Sequence, residues 1–286
     1  MESRFGHSQW DVKPGRRALL NDPAAAWRKK MPSLDLSGVR ILLDCAHGAA
    51  APHAPGVLES MGATVIRRGC EPDGRNINDG VGAMHPPEDL RGCDLAICLD
   101  GDADRLMMVV PGWGTLDGDD MLWLLSQSTT GPVVGTVMTN GGLEAALGGR
   151  LHRAKVGDKN VAELMSRTGA QLGAEPSGHI LFADGMPTGD GLYAALRILQ
   201  SEPGSQTPRL LLPLAGWKRL PTLHRNLRFE GTRHPLDTLS TPDEARAAGQ
   251  RVIIRYSGTE PLLRILVEGE EAQTWTDRIV TEFEAR

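Results

Sequence analysis

Aromatic residues are scarce in this chain, with six Trp, four Phe and two Tyr among 286 residues. Its cores must therefore be filled by aliphatic side chains and alanine. Cysteine is scarcer still, and Cys45, Cys70, Cys93 and Cys98 form no C-x-x-C pair. Four thiols are too few to staple a chain of this length, so they read as small buried apolar residues in a reducing compartment. No apolar run approaches the roughly 20 residues needed to span a bilayer, and the opening MESRFGHSQWDVKPGRR has no hydrophobic signal segment. These absences lead us to expect a cytoplasmic protein with no membrane partner. Long Lys/Arg runs are missing too, and a formal net charge of -5 would repel a polyanion, which argues against a nucleic-acid partner. Any basic site must be local. What remains is 40% hydrophobic and 23% charged, the composition of a soluble globular protein long enough for two or three compact units.

Regular patterning begins at Val39. VRILLD reads as an apolar strand, APGVLESMG as a short helix stopped by glycine, and ATVI as a second strand, which together make a βαβ unit. DLAICLD and LMMVV are strands on either side of a polar loop, and GDDMLWLLSQ is expected to be an amphipathic helix with an acidic first turn. A parallel or mixed sheet covered by helices follows, placed at residues 35–127 behind a partly helical lead-in at 1–34. A second α/β unit is expected at 128–205, from VVGTVM, GLEAALGG, HRAKV, KNVAELMSRTG, the loop GAEPSGHILF and the closing helix GLYAALRILQ. SEPGSQTP reads as a linker. Residues 206–286 then form a small α+β domain from KRLPTLHRNLRF, PDEARAAG, QRVIIRY, LLRILVEG and a last helix from about Glu271.

The sharpest chemical signal is DLAICLDGDADRLMMVV. Asp100, Asp102 and Asp104 alternate in a loop entered from one apolar strand and left by another. Three carboxylates this close repel unless a cation sits among them, and hard oxygen ligands suit Mg²⁺. An acidic solvated turn is the plain alternative, and the exit straight into a buried strand makes it awkward. An EF-hand needs Gly at the sixth position and Glu at the twelfth, where this chain has Arg105 and Pro111. A haloacid-dehalogenase-like phosphatase also places Asp-x-Asp after a strand, with the first carboxylate as nucleophile, and it explains neither the third Asp nor Arg105.

The stretch RYSGTEPLLRILVEG sets Arg255, Ser257, Gly258 and Thr259 on a turn between two apolar runs. A planar guanidinium, two hydroxyls and a glycine that lets backbone N–H groups approach are what a phosphate needs; taken alone, the same residues also make an ordinary polar hairpin. In GAEPSGH, Glu175, Ser177 and His179 occupy alternating positions, and on an extended loop their side chains would project to one side and suit sugar hydroxyls. KVGDKN adds Lys155 and Lys159 near an expected helix start, a second place for an anion.

Together these segments resemble the α-D-phosphohexomutase superfamily, and within it the bacterial phosphoglucosamine mutases. LDGDADRLMMV resembles the family's metal loop, GAEPSGHI its sugar-selecting loop and RYSGTEPLLRILVEG its phosphate-binding loop. VRILLDCAHGAA, GCEPDGRNINDGVGAMHP, LDGDDMLWLLS, AKVGDKNV and TGDGL are similar to their counterparts in the same order. The resemblance implies two α/β domains of the phosphohexomutase type followed by a small α+β domain with a TATA-box-binding-protein-like topology. It implies Mg²⁺ on Asp100, Asp102 and Asp104, with Arg105 assisting at the transferring phosphoryl group. Glu175 and Ser177 would hold sugar hydroxyls with His179 nearby, and Lys159 stands where the family often has a basic residue. Arg255, Ser257, Gly258 and Thr259 would grip the phosphate of a hexose or hexosamine phosphate that is not reacting.

The departures are as informative. In the family a first domain carries a phosphorylated serine within a Ser-His-Asn-Pro type loop, the resting phosphoryl donor. These 286 residues contain no such loop; GHSQW at residues 6–10 has another order and neither Asn nor Pro. Ala103 stands where the family usually has glycine, and Lys159 where arginine is frequent. The expected activity is therefore that of a phosphoglucosamine-mutase-like protein, converting glucosamine 6-phosphate to glucosamine 1-phosphate, with its donor supplied by a separate phosphoserine domain or a bisphosphorylated sugar. A Mg²⁺-dependent phosphosugar phosphatase or phosphotransferase, and a phosphosugar-binding protein without turnover, are the alternatives. Self-association or a partner is a further expectation, since without the first domain an apolar face on the second would be uncovered.

Overall fold

The computed structural model describes residues 22, 24–186, 188–200, 215–229, 233–257 and 260–285. Residues 1–30 and 31–286 form separate units. In the first, α1 (Ala25–Arg28) is a single turn, and Arg28 pairs with Asp22. Most of the expected lead-in and the expected linker SEPGSQTP lie outside the described residues.

The larger unit begins with a five-stranded mixed sheet. Its strands are β1 (Arg40–Asp44), β2 (Thr64–Arg68), β3 (Leu95–Leu99), β4 (Leu106–Val110) and β5 (Gly114–Leu116), in the order β2-β1-β3-β4-β5. β1 runs parallel to β2 and β3, whereas β4 returns antiparallel to β3 and β5 to β4. Ile41, Leu42, Leu43 and all five residues of β3 are buried, as a strand covered on both faces requires. The crossover from β1 to β2 is α2 (Ala54–Ser60), which packs on β2. The three-residue β5, GTL, carries no apolar run that a sequence pattern could register.

A second sheet has the order β7-β6-β8-β9, from β6 (Val133–Thr136), β7 (Leu151–Ala154), β8 (Leu172–Ala174) and β9 (Ile180–Phe182). β6 is parallel to β7 and β8, and β9 closes the edge antiparallel. Its helices include α4 (Gly141–Leu147) and α5 (Asp158–Thr168). The expectation that α3 (Gly118–Ser126) ends the first unit, with a boundary after residue 127, differs from its packing: α3 lies on β8 of the second sheet. Conversely α6 (Gly191–Leu199), expected to close the second unit, lies across β3 and β4 and touches α3. Each of these helices is buried at eight of nine positions. Burial all round marks a helix lodged between layers, not one draped over a single sheet.

The C-terminal part is a three-stranded antiparallel sheet, β10 (Thr222–Arg228), β12 (Leu262–Glu268) and β11 (Arg251–Tyr256) in that order, with α7 (Thr241–Ala247) and α8 (Ala272–Glu284). Leu227, Leu263, Ile265 and Val267 pack with Trp275, Ile279 and Phe283 of α8. Strand alternation sends the intervening residues to the opposite face, and that face is where the chemistry of this domain lies.

Candidate functional site

The strand pair β3–β4 reverses through Asp100–Arg105, so its carboxylates ride on two buried strands. One oxygen each from Asp100, Asp102 and Asp104 lies within 4.8 Å of the others. Asp100 is 1% exposed, and its oxygens accept from the Arg105 backbone N–H at 3.1 Å and from Arg105 Nε at 2.6 Å. Asp102 is exposed, and Asp104 is partly buried, 3.6 Å from Arg105 Nε. Burial, then the neighbouring Asp100 and Asp102, raises the Asp104 carboxyl above the usual carboxylate range. All three donors are carboxylate oxygens, crowded enough to repel one another, and that set fits a hard divalent cation such as Mg²⁺.

The loop is braced from below. Ala49 N–H donates to Gly101 O at 2.9 Å and Ala83 N–H to Leu99 O at 2.9 Å. The segments that reach it are tied to Asp44, which is fully buried and accepts from Ala46 N–H at 3.0 Å, from Gly82 N–H at 2.7 Å and from the Arg68 guanidinium.

The second sheet delivers His179. Its Nδ1 lies 3.1 Å from Asp104 Oδ2, and its buried Nε2 has no partner among the described residues. The contact is built by backbone: Arg105 and His179 form an antiparallel bridge, and Leu106 N–H donates to Gly178 O at 3.0 Å. Gly178 sits at φ +92° with Leu106 O only 2.0 Å from where a Cβ would stand, so no other residue fits there. The expected extended loop with Glu175, Ser177 and His179 on one side is instead a tight turn between β8 and β9, closed by Gly178 N–H to Glu175 O at 2.9 Å. A turn breaks the period-2 alternation, so the side chains part. His179 turns in to Asp104, Ser177 is exposed, and Glu175 Oε2 accepts from Gly157 N–H at 3.0 Å. Gly157 caps α5, and Lys159 stands exposed in the first turn of that helix. The carboxylate of Glu175 thus satisfies one helix N-terminal donor beside Lys159.

Arg255 lies on β11 of the small sheet, and Ser257 follows directly after that strand. Gly258 and Thr259 fall outside the described residues. Ser257 is 3% exposed, with its N–H donating to Leu262 O at 2.8 Å and its carbonyl accepting from Arg233 at 2.6 Å. Arg255 is exposed and has no ion pair among the described residues.

Three family profiles match the chain: Phosphoglucomutase/phosphomannomutase alpha/beta/alpha domain II over residues 24–114, alpha/beta/alpha domain III over 117–206 and the C-terminal domain over 242–285. This chain belongs to the phosphohexomutase family. It is 40% identical over 289 residues to the phosphoglucosamine mutase of Aeromonas hydrophila, covering 92% of this chain and 65% of that protein. It is 42% identical over 263 residues to phosphoglucosamine mutase 1 of Shewanella amazonensis, covering 84% of this chain and 58% of that one. The chain thus spans less than two thirds of the length of these relatives. Among solved structures, Aspergillus fumigatus N-acetylphosphoglucosamine mutase in complex with GlcNAc-6P and magnesium superposes with a TM-score of 0.67 at 20% identity, over 91% of this chain and 68% of that one. At that identity the likeness speaks for the fold.

In the phosphohexomutase frame, Ala103 occupies a position at φ +65°. A glycine there, as is usual in the family, adopts this left-handed conformation freely, whereas alanine carries a modest strain. One residue escaped the sequence reading. Arg264 is the register partner of Arg255 across β11–β12, its Nη2 lies 3.5 Å from Ser257 Oγ, and its buried Nε has no partner. The register that sets Tyr256 opposite Leu263 also sets 255 opposite 264, the two arginines of RYSGTEPLLR. Cross-strand arginines repel, and Arg264 pairs with Glu260 at 3.2 Å.

Proposed function

We propose that this chain binds a hexose or hexosamine phosphate between two charged seats and serves phosphoglucosamine-mutase-type phosphoryl transfer. The carrying observation is the convergence of Asp100, Asp102 and Asp104 within 4.8 Å on a loop that also presents Arg105. Asp100, Asp102 and Asp104 would hold Mg²⁺, which when bound supplies charge neutralisation at the phosphoryl group being transferred. Arg105, held by Asp100, keeps its remaining N–H donors for a phosphoryl oxygen. His179 orients Asp104 through Nδ1, so that the ligand set is preorganised by a residue from the other sheet. Glu175, Ser177 and Lys159 gather along one turn and one helix start, and are assigned to sugar hydroxyls and the anion. Arg255, Ser257, Arg264 and, on the sequence motif, Gly258 and Thr259 take the phosphate at the other end of the sugar.

In the transfer, a sugar hydroxyl oxygen forms a bond to phosphorus as the donor's P–O bond breaks, and the hydroxyl proton leaves with the departing oxygen or to solvent. A bisphosphorylated hexose, or a phosphoserine on a separate domain, would be the donor. The test is to incubate the protein with glucosamine 6-phosphate, Mg²⁺ and a trace of glucosamine 1,6-bisphosphate. Accumulation of the 1-phosphate, lost in Asp102→Asn, is expected. Release of free phosphate alone would assign a phosphatase, and binding without turnover a phosphosugar-binding protein.

A further inference from the structure

The open face of the C-terminal sheet carries more than the two arginines. Register places Asn226 of β10 beside Arg264 of β12, which is itself beside Arg255 of β11, in one straight row. One step along the same face, His224 pairs with Leu266 and Leu266 with Ile253. The other face is sealed by α8, so this polar row has no structural burden in the core. With Met138 from the second sheet's loop, these residues line a hollow of about 210 Å³. At ~30 Å³ per water-sized volume that is roughly seven such volumes, more than the five heavy atoms of a phosphate fill.

The choice of residues is chemically pointed. A carboxylate at position 226 would pair with Arg264 across the strands and quench the seat. Asn adds N–H donors without adding to the repulsion between two guanidiniums. Asn226 and His224 are both exposed, so the row faces solvent with donors to spare. We propose that β10 forms the third wall of this seat, with Asn226 donating to a phosphate oxygen and His224 meeting the sugar carbons and hydroxyls of the ester beyond it. The seat then prefers a sugar phosphate monoester to inorganic phosphate. This rests on the reading of Arg255 and Arg264 as a phosphate seat.

Titration calorimetry of the full chain with Mg²⁺, using inorganic phosphate and glucosamine 6-phosphate in turn, separates the two layers. Asn226→Ala should weaken both ligands about tenfold, the usual cost of a hydrogen bond to a charged group. His224→Ala should weaken glucosamine 6-phosphate about threefold or more, a small polar or packing contact, and leave inorganic phosphate unchanged. Asn226→Asp should be worse than Asn226→Ala for both ligands, with a melting temperature no lower than that of the unsubstituted protein, because the new carboxylate pairs with Arg264. If Arg255→Ala loses both ligands while both alanine variants on β10 bind as before, the third wall is refuted and the phosphate seat stands. If Arg255→Ala also binds as before, the seat itself fails.

Discussion

At Asp100 a carboxylate 1% exposed is pinned by two hydrogen bonds from Arg105, whereas at Arg255 an exposed guanidinium faces Arg264 with no carboxylate between them. The first region carries surplus negative charge held in fixed geometry by buried strands, a bridging histidine and braced loops. The second carries surplus positive charge on an open sheet face, with few internal partners. The difference separates two ways of preparing for a ligand. Around the acidic loop, the braces that hold the fold also fix Asp100 and Asp104, and only the exposed Asp102 adds repulsion without a brace of its own. On the basic sheet face stability and function oppose each other, because the repulsion that the fold tolerates is what an anion would relieve.

The largest effect should come from breaking the brace under the acidic loop. Asp44→Ala strands two buried N–H groups and removes the carboxylate partner of Arg68, which keeps its bonds to the His85 and Gly80 carbonyls, and should cost about 3–5 kcal/mol in denaturant unfolding. An unchanged midpoint would mean that the loops around Gly82 and Ala46 hold without it. Next, Arg255→Ala and Asp102→Asn should each weaken their ligand about tenfold or more, hexosamine phosphate and Mg²⁺ respectively. Neither should lower the melting temperature, since each removes a like-charge contact. A clear drop in melting temperature for Arg255→Ala would erase the contrast between the two regions.

A smaller effect concerns the acidic start of α3, where Arg219 reaches Asp117 at 2.7 Å and Asp120 at 3.0 Å, and Asn140 N–H donates to Asp119 at 2.9 Å. Burial, then Asp117, raises Asp119 from 3.8 to about 7. The folded form therefore binds that proton more tightly than the unfolded chain, so the stability this group contributes is full below about pH 4 and is lost as the pH rises to about 7. Asp119→Asn should flatten the fall in stability across that window by about 1 kcal/mol per pH unit at most. An identical slope in thermal melts from pH 4 to 7 would remove Asp119 as its cause. Smallest of all, Arg67→Ala breaks an exposed pair with Glu59 and should change stability by no more than about 1 kcal/mol. A larger loss would show that exposed pairs carry weight in this sheet.

Most of the elements were legible because their signals are local. VRILLD, DLAICLD and LLRILVEG are apolar runs bounded by turn residues, and GLYAALRILQ is a helix-length apolar run started at Asp190. The acidic loop was legible for the same reason: three Asp at alternating positions between two strands are neighbours in any fold. The placement of α3 was not, since an all-round apolar helix has no face that says which sheet it serves. Nor was the turn at Glu175–His179, where Gly178 overrides the alternation expected of an extended loop.

Sequence alone determined the strand–loop–strand carrying Asp100, Asp102 and Asp104, because backbone geometry over ten residues leaves few alternatives. Tertiary structure decided that His179 meets Asp104, that Glu175 meets Gly157 and that Asn226 joins the arginine row. Those pairs are brought together by the packing of whole sheets and helices, and no local preference of either partner encodes where the other will be.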